Sequence, residues 1–365
     1  MKHLNLFFAA CLLSLGLQAE TVWHNPQTEK LTGVNNVHNQ GFNEGNYQRL
    51  PASAEAIVRK PVWSLSRHSA GLAVRFRTDA KDITVRYGVT GGWNMPHMPT
   101  TGVSGLDLYR VNADGSHDFC AGTYRFADTA RYKYKNDLQM VQGPVEYVLY
   151  LPLYNGVKWL EVGVDESCSF SFIAADPKVR PVVVYGTSCT QGACSSRPGN
   201  AWTNILNRRL HVPVINLGFS GNGIMEPEMI EQLAAINARV YVLDNLPNLD
   251  HFTEDTITHR VVYAVHRLRK TSNAPIVLVE HPGYSSDKTN IERHNSYRMT
   301  NRALSAAYKQ LRSEKVKGLY YVTSAQLNYD PDGIVDVVHP NDIAMRNEAD
   351  GITPTLKKVL KKYKN

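Results

Sequence analysis

Apolar positions along the chain change their spacing near residue 177. Between about residues 62 and 172, the runs "GLAVRFRT", "ITVRYGV", "LDLYRV", "VEYVLYLPLY", "KWLEVGV" and "SFSFIA" either alternate apolar with polar positions or are rich in β-branched and aromatic residues. Gly, Pro, Asn and Asp punctuate them. Short runs at regular spacing, with turn residues between them and no long helical period, predict an antiparallel β-sandwich. From Arg180 on, strand and helix alternate: "VVVYG" then "NAWTNILNRRL", "PVINLG" then "PEMIEQLAAINA", "VYVLD" then "TITHRVVYAVHRLRK". "APIVLVE" comes next, then "HNSYRMTNRALSAAYKQLRS", and finally "GLYYVT" before a C-terminal helix. Five apolar strands separated by amphipathic helices predict a parallel sheet covered on both faces.

Length agrees with two units. A chain of 365 residues exceeds the roughly 250 residues at which single cores stop growing. The stretch "AADPKVRP" around Pro177 is the natural boundary, giving a sandwich over 20–176 and an α/β domain over 177–365. The first nineteen residues have a basic start, an apolar run from Leu4 to Leu17 and a small residue at Ala19. They read as a secretory signal peptide, too short to span a bilayer, so the expected location is periplasmic or secreted. No other apolar run is long enough for a membrane span.

Charge and cysteines change the picture little. The net charge is +7, and five lysines crowd the last nine residues, where they complement a helix macrodipole. Without aromatic interleaving or a nucleic-acid motif, no nucleic-acid partner is expected. Cys120, Cys168, Cys189 and Cys194 form an even set in an exported chain, and Cys189 with Cys194 or Cys120 with Cys168 are the sequence-local candidates for disulfides. No Cys or His spacing reads as a zinc site, so neither metal nor cofactor is expected.

Ligands of an open parallel sheet bind outside the carboxyl ends of its strands. Ser188, in "VVVYGTSCTQGACSSRPGNAW", stands there, and by itself a serine between strand and helix is commonly an N-cap. Other strand ends supply "NLGFSGNG" with Gly218, Ser220, Gly221 and Asn222, "LDNLPN" with Asp244, Asn245 and Asn248, and "DGIVDVVHPND" with Asp336 and His339. A hydroxyl, glycine amides, a side-chain amide and an Asp/His pair on one edge are the parts of a serine acyl hydrolase. That company favours Ser188 as nucleophile over cap. His339 is then the base, and Asp336, one turn earlier, orients it.

The order G-T-S, S-G-N-G, P-N and D-x-x-H resembles the four blocks of the SGNH (GDSL-type) hydrolases. It is most similar to a bacterial subgroup of GDSL-like lipase/acylhydrolases whose N-terminal β-domain resembles "WSLSRHSAGLAVRFRT" and "MPHMPTTGVSGLDLYR". The resemblance covers about residue 63 to the C-terminus. It implies a three-layer α/β/α, flavodoxin-like domain with a five-stranded parallel sheet, preceded by a jelly-roll-like sandwich. It also implies three oxyanion donors: the Ser188 N–H, the Gly221 N–H and the Asn248 side chain. Two blocks depart from the family, with Thr187 where an aspartate is usual and Leu-Pro-Asn where many relatives have Gly-x-Asn. The second leaves a choice between Asn245 and Asn248; alignment favours Asn248, with Asn245 more structural. Gly218 and Gly223 also read as turn glycines.

Further candidates are His97, on a Met/Pro-rich loop that could lean over the catalytic edge, and Arg197, an anchor of the active-site loop or a substrate contact. His68, His281 and His294 read as loop or surface residues. The expected activity is hydrolysis of small acyl esters, O-acetyl groups on carbohydrates foremost. The alternatives are a lipid or small-ester acylhydrolase and a glycan-binding protein whose hydrolase site has decayed.

Overall fold

The computed structural model of the chain describes residues 20–29, 35–42, 44–137 and 143–363, so the first nineteen residues, read in the sequence as a signal peptide, lie outside the described residues. The strands are β1 Thr21–His24, β2 Val37–His38, β3 Ala73–Thr78, β4 Asp82–Val89, β5 Asp107–Val111, β6 His117–Cys120, β7 Gly122–Arg125 and β8 Ala130–Lys135. They continue with β9 Val145–Tyr150, β10 Val157–Asp165, β11 Phe170–Phe172, β12 Val182–Gly186, β13 Val214–Gly218, β14 Val240–Asp244, β15 Ile276–Val279 and β16 Leu319–Val322. The α-helices are α1 Lys60–Ser66, α2 Thr100–Val103, α3 Ser188–Gln191, α4 Trp202–Leu210, α5 Pro227–Ala234, α6 Glu254–Thr271, α7 Ile291–Ser313 and α8 Asp342–Lys362.

The N-terminal half is two antiparallel sheets, ordered β1-β10-β4-β8-β7 and β11-β3-β9-β5-β6, with β2 beside β3. Alternation in the sequence puts Val85, Tyr87, Tyr132 and Leu160 of one sheet against Phe76, Leu108, Tyr147 and Leu149 of the other, all in one buried core. β1, β2 and the run "RYKYK" of β8 extend these sheets beyond the runs picked out by pattern.

The C-terminal half is a five-stranded parallel sheet in the order β13-β12-β14-β15-β16, the flavodoxin-like 2-1-3-4-5 arrangement. Its strands bury both faces: α4 and α8 cover Val182, Val184 and Val242, while α5, α6 and α7 cover Val183, Tyr185 and Leu243. Part of the second face is closed by Leu50, Ala54, Val58 and Val62, far upstream of Pro177. The chain therefore visits the α/β layer before it completes the sandwich. A pattern scan cannot see this, because an irregular segment carries no period.

The same segment closes a sheet edge. Arg49, buried at 2 % exposure, donates to the carbonyls of Gly218 (2.5 Å) and Asn216 (3.3 Å) on edge strand β13, and to those of His68 (2.9 Å) and Leu65 (2.6 Å). Those acceptors satisfy the guanidinium and cover backbone groups that an exposed edge would leave open. A small apolar cluster at the seam joins Ala70, Met98, Val103, Leu153 and Tyr154 to Ala193, Cys194 and Ala201 of the loop after α3. Among the described residues, no helix is long and apolar enough to cross a membrane.

Candidate active site

At the carboxyl end of β12 the chain turns at once into α3. A Cβ on Gly186 would lie 2.0 Å from Thr190 Oγ1, and one on Gly218 would lie 2.2 Å from the Gln191 nitrogen. Those two glycines let helix and strands approach, so Gly218 is a close-contact glycine rather than a turn glycine. The N-cap of α3 is Thr187, whose hydroxyl accepts from the Cys189 N–H at 3.3 Å. The cap thus falls to the residue that replaces the family's aspartate. Ser188 Oγ is left free for a different partner, His339 Nε2 at 2.9 Å.

His339 arrives on a narrow loop closed by hydrogen bonds from Val335 N to His339 O (2.9 Å) and from Asn341 N to Gly333 O (2.8 Å). Asp336 Oδ2 meets His339 Nδ1 at 2.7 Å, while its Oδ1 accepts from the N–H groups of Val338 (2.9 Å) and His339 (3.0 Å). The one-turn spacing is therefore an Asx-type turn and not a helical turn. α8 starts later, at Asp342, capped by Asn341. Partial burial pushes the Asp336 carboxyl up, but hydrogen bonds from the His339 ring and two backbone amides outweigh it and hold it at about 2. An ionised Asp336 keeps the proton on Nδ1 and turns the Nε2 lone pair to Ser188.

The second and third blocks face the same edge. Gly221 has φ +67°, and no protein atom lies within 4 Å of where its Cβ would be. Glycine is needed there for the left-handed backbone, and the space in front of it is open. Asn248 Oδ1 accepts from Gly223 N at 3.1 Å. Its NH2 group has no protein acceptor among the described residues, nor does the N–H of Gly221. Asn245 is fully buried and donates to the Gly223 carbonyl at 2.9 Å. Both asparagines grip Gly223, whose Cβ would come 2.1 Å from the Gly186 carbonyl. Asn245, a candidate substrate contact, is thus a support beneath the site, because burial keeps it from substrate.

Arg197 is an anchor. Its Nη1 donates to Asp107 Oδ2 (2.6 Å) and meets the Tyr109 hydroxyl (2.7 Å), and its guanidinium lies 3.8 Å over the Phe119 ring. Asp107 also accepts from Gly199 N at 2.7 Å. Next to it, Ser196 N donates to Asp342 Oδ1 at 2.9 Å and Ser196 O accepts from Thr101 Oγ1 at 2.7 Å, tying sandwich, nucleophile loop and His339 loop together. His97 stands beside the site, its ring centroid 5.5 Å from that of His339.

Several expectations need correction. All four cysteines are free: Cys189 Sγ contacts the Val338 carbonyl and Cys194 Sγ the His97 carbonyl, so their sulfurs face different loops. His281 is fully buried, not a surface residue, and burial drives its pKa down to about 3. His68 is mostly buried against Gln191, and burial lowers it to about 4. Sequence reasoning also missed a cluster: donor atoms of His97, Cys194 and His339 lie within 4.8 Å of one another. Three separate segments supply it, so no local spacing announces it. Behind the His339 loop, a small cavity of about 20 Å³ is lined by Cys189, Pro247, Val338 and two buried acids, Asp244 and Glu348. Burial pushes both carboxyls up.

A serine, a histidine and an aspartate in a row at the carboxyl edge of a 2-1-3-4-5 parallel sheet define the SGNH class of α/β/α fold. The chain belongs to the GDSL-like lipase/acylhydrolase family: that family's model matches residues 179–357. A second, GxDLY, the N-terminus of SGNH-hydrolase-type esterases, matches residues 21–170. Gly105, Asp107, Leu108 and Tyr109 spell that name here, and two of them hold Arg197. A protein of Bacteroides ovatus assigned as a GDSL-like lipase is 31% identical, aligns over 94% of this chain and 98% of its own, and superposes with a TM-score of 0.84. A salicylyl-acyltransferase of a tetracycline biosynthetic pathway shares the fold at 16% identity, over 93% of this chain and 94% of its own, with a TM-score of 0.68. No curated protein matches the chain.

Proposed function

We propose that this chain is an exported serine esterase that removes small acyl groups, O-acetyl foremost, from carbohydrates. The observation that carries the hydrolytic reading is the unbroken row Ser188 Oγ, His339 Nε2, His339 Nδ1, Asp336 Oδ2, with links of 2.9 and 2.7 Å. A serine hydroxyl is a poor nucleophile until a base takes its proton during attack. In this mechanism Ser188 Oγ bonds to the acyl carbon as its proton passes to His339 Nε2. That proton then leaves with the departing alcohol, and a water molecule, deprotonated by His339, cleaves the acyl-serine. The N–H groups of Ser188 and Gly221 and the Asn248 amide hold the oxyanion.

The short-acyl reading is supported by the His97 ring, which stands 5.5 Å from that of His339 beside the nucleophile. Export is supported by the leader-like first nineteen residues. A second reading, a lipid or long-chain acylhydrolase, draws on Val335, Val337 and Ile343, exposed apolar residues near His339. Acetate release from acetylated oligosaccharides, run beside p-nitrophenyl esters of increasing acyl length, separates the two. Deacetylation with turnover falling as the acyl chain lengthens is expected, and a strong preference for long chains overturns the short-acyl reading.

A further inference from the structure

We propose that His97, Cys194 and His339 bind a borderline-soft divalent cation, Zn2+ or Cu2+, and that this cation switches hydrolysis off by occupying the base. The switch rests on the role proposed above for His339; the binding site itself does not.

Each donor comes from a different place: His97 from the loop before α2, Cys194 from the loop after α3, and His339 from the loop before α8. All three donor atoms nevertheless lie within 4.8 Å of one another. Tetrahedral zinc, with bonds of about 2.0–2.1 Å to nitrogen and 2.3 Å to sulfur, sets donors roughly 3.3–3.7 Å apart. From the 4.8 Å upper bound the widest pair must close by about 1 Å to reach zinc spacing. Two imidazoles and a thiolate select Zn2+ or Cu2+ over Mg2+ or Ca2+, which take oxygen ligands.

Two features single this cluster out. Cys194 holds φ +65°, a left-handed backbone that costs a residue with a side chain, and this places its Sγ 3.3 Å from the His97 carbonyl oxygen. His339 gives its Nδ1 side to Asp336, the carboxylate–histidine arrangement that orients metal-bound imidazoles and raises their basicity. What makes His339 a base makes it a ligand too. On binding, the Cys194 thiol loses its proton to solvent as the metal–sulfur bond forms. The Nε2 lone pair then goes to the metal and no longer accepts the Ser188 proton, and a water completes the fourth position.

The test strips the full chain with EDTA, titrates it with Co2+ as a spectroscopic probe, displaces Co2+ with Zn2+, and follows p-nitrophenyl acetate hydrolysis in parallel. One Co2+ per chain is expected, with a thiolate-to-cobalt charge-transfer band, and hydrolysis should fall with Zn2+ occupancy and return with EDTA. Cys194→Ser should lose the band and weaken Zn2+ binding by more than the ~10- to 100-fold that losing an outer hydrogen-bond partner costs, with metal-free turnover retained. His97→Ala, read by Zn2+ affinity alone, gives the same answer should Cys194→Ser not fold. Ser188→Ala should bind Co2+ as the parent does although it hydrolyses nothing, which keeps the metal site and the esterase mechanism separately testable. A missing thiolate band, Zn2+ inhibition unchanged by Cys194→Ser, or hydrolysis that rises with Zn2+ overturns the proposal.

Discussion

Along β8 in the sandwich, buried and exposed residues alternate without a break, whereas β12, β13 and β14 bury every residue they have. Antiparallel strands return by hairpins, so their loops are shared between two ends. Parallel strands all finish on one edge, and the loops leaving them gather there. Ser188, Gly221, Asn248 and the Asp336/His339 pair come from that edge. The N-terminal half supplies clamps instead: Arg49 on the end of β13, Asp107 and Tyr109 on Arg197, and the Tyr154 hydroxyl on the Ser188 carbonyl at 3.3 Å. On the proposed mechanism one half carries the reacting atoms and the other fixes their loops, a division that mutation can break.

The largest effect belongs to the reacting atoms. Ser188→Ala is expected to lower ester turnover by about 10,000-fold or more with the melting temperature unchanged, read by steady-state kinetics and calorimetry on the same sample. Wild-type turnover in that variant would remove the hydrolytic role from the parallel edge altogether. Next comes the clamp. Arg197→Ala leaves Asp107, its side chain only 4 % exposed, without its cation. Breaking a buried pair from one side costs about 3–5 kcal/mol of stability. Chemical denaturation should show that loss, and turnover below the transition should drop far less than for Ser188→Ala. An equal collapse of kcat in a folded Arg197→Ala would mean that the sandwich side contributes to chemistry directly.

Legibility in the sequence divides along the same line. Five apolar runs with amphipathic helices between them are a periodic signal, and the parallel sheet came out of it in order. The edge residues were legible because three blocks end a strand and the fourth lies beyond the last one, and their company favoured Ser188 as nucleophile. That Thr187 caps α3 was hidden, since either hydroxyl suits a cap in the sequence. Arg49, the upstream apolar residues Leu50 to Val62 and the His97–Cys194 approach were also hidden. They depend on irregular segments crossing between layers, where no period exists to read. The candidate disulfide pairs, left open in the sequence, are not formed for a related reason: adjacency in sequence says nothing about which loop a sulfur faces.

A finer test sits within the edge itself. The proposed oxyanion donors differ in how the chain presents them, two as backbone amides and one as a side chain that can be removed. Asn248→Ala is expected to lower kcat by about 100- to 1,000-fold with a small change in KM, since the oxyanion exists only on the way to the acyl-serine. Asn245→Ala should act through stability instead, because it frees the Gly223 carbonyl at a buried site. If the two variants exchanged these signatures, Asn245 would be the donor and Asn248 the support.

The smallest effect concerns Asp244, the acid at the end of β14 that the mechanism leaves unused. Its Oδ2 accepts from Thr190 Oγ1 at 2.6 Å, and burial raises its pKa, as it does that of Glu348 in the same cavity. The folded chain therefore keeps protons that the unfolded chain gives up above the ordinary carboxylate range near pH 4. Where the native state binds more protons, stability falls as pH rises, so these acids should cost the α/β layer stability from about pH 4 upward. Asn at position 244 mimics the protonated acid and can still accept from Thr190. Asp244→Asn should match the parent in melting temperature near pH 4 and exceed it at pH 8, at roughly 2–4 °C per kcal/mol. A parallel pH profile for the two proteins would mean that Asp244 is already ionised in the fold, with a counter-charge brought to it across the cavity. Asp107, the buried acid at the edge of the sandwich, is raised as well, burial outweighing its Arg197 counter-ion, so it adds the same downward slope to both proteins and cancels from their difference. The gain of Asp244→Asn at high pH is therefore read from the difference between the two pH profiles and not from either one alone.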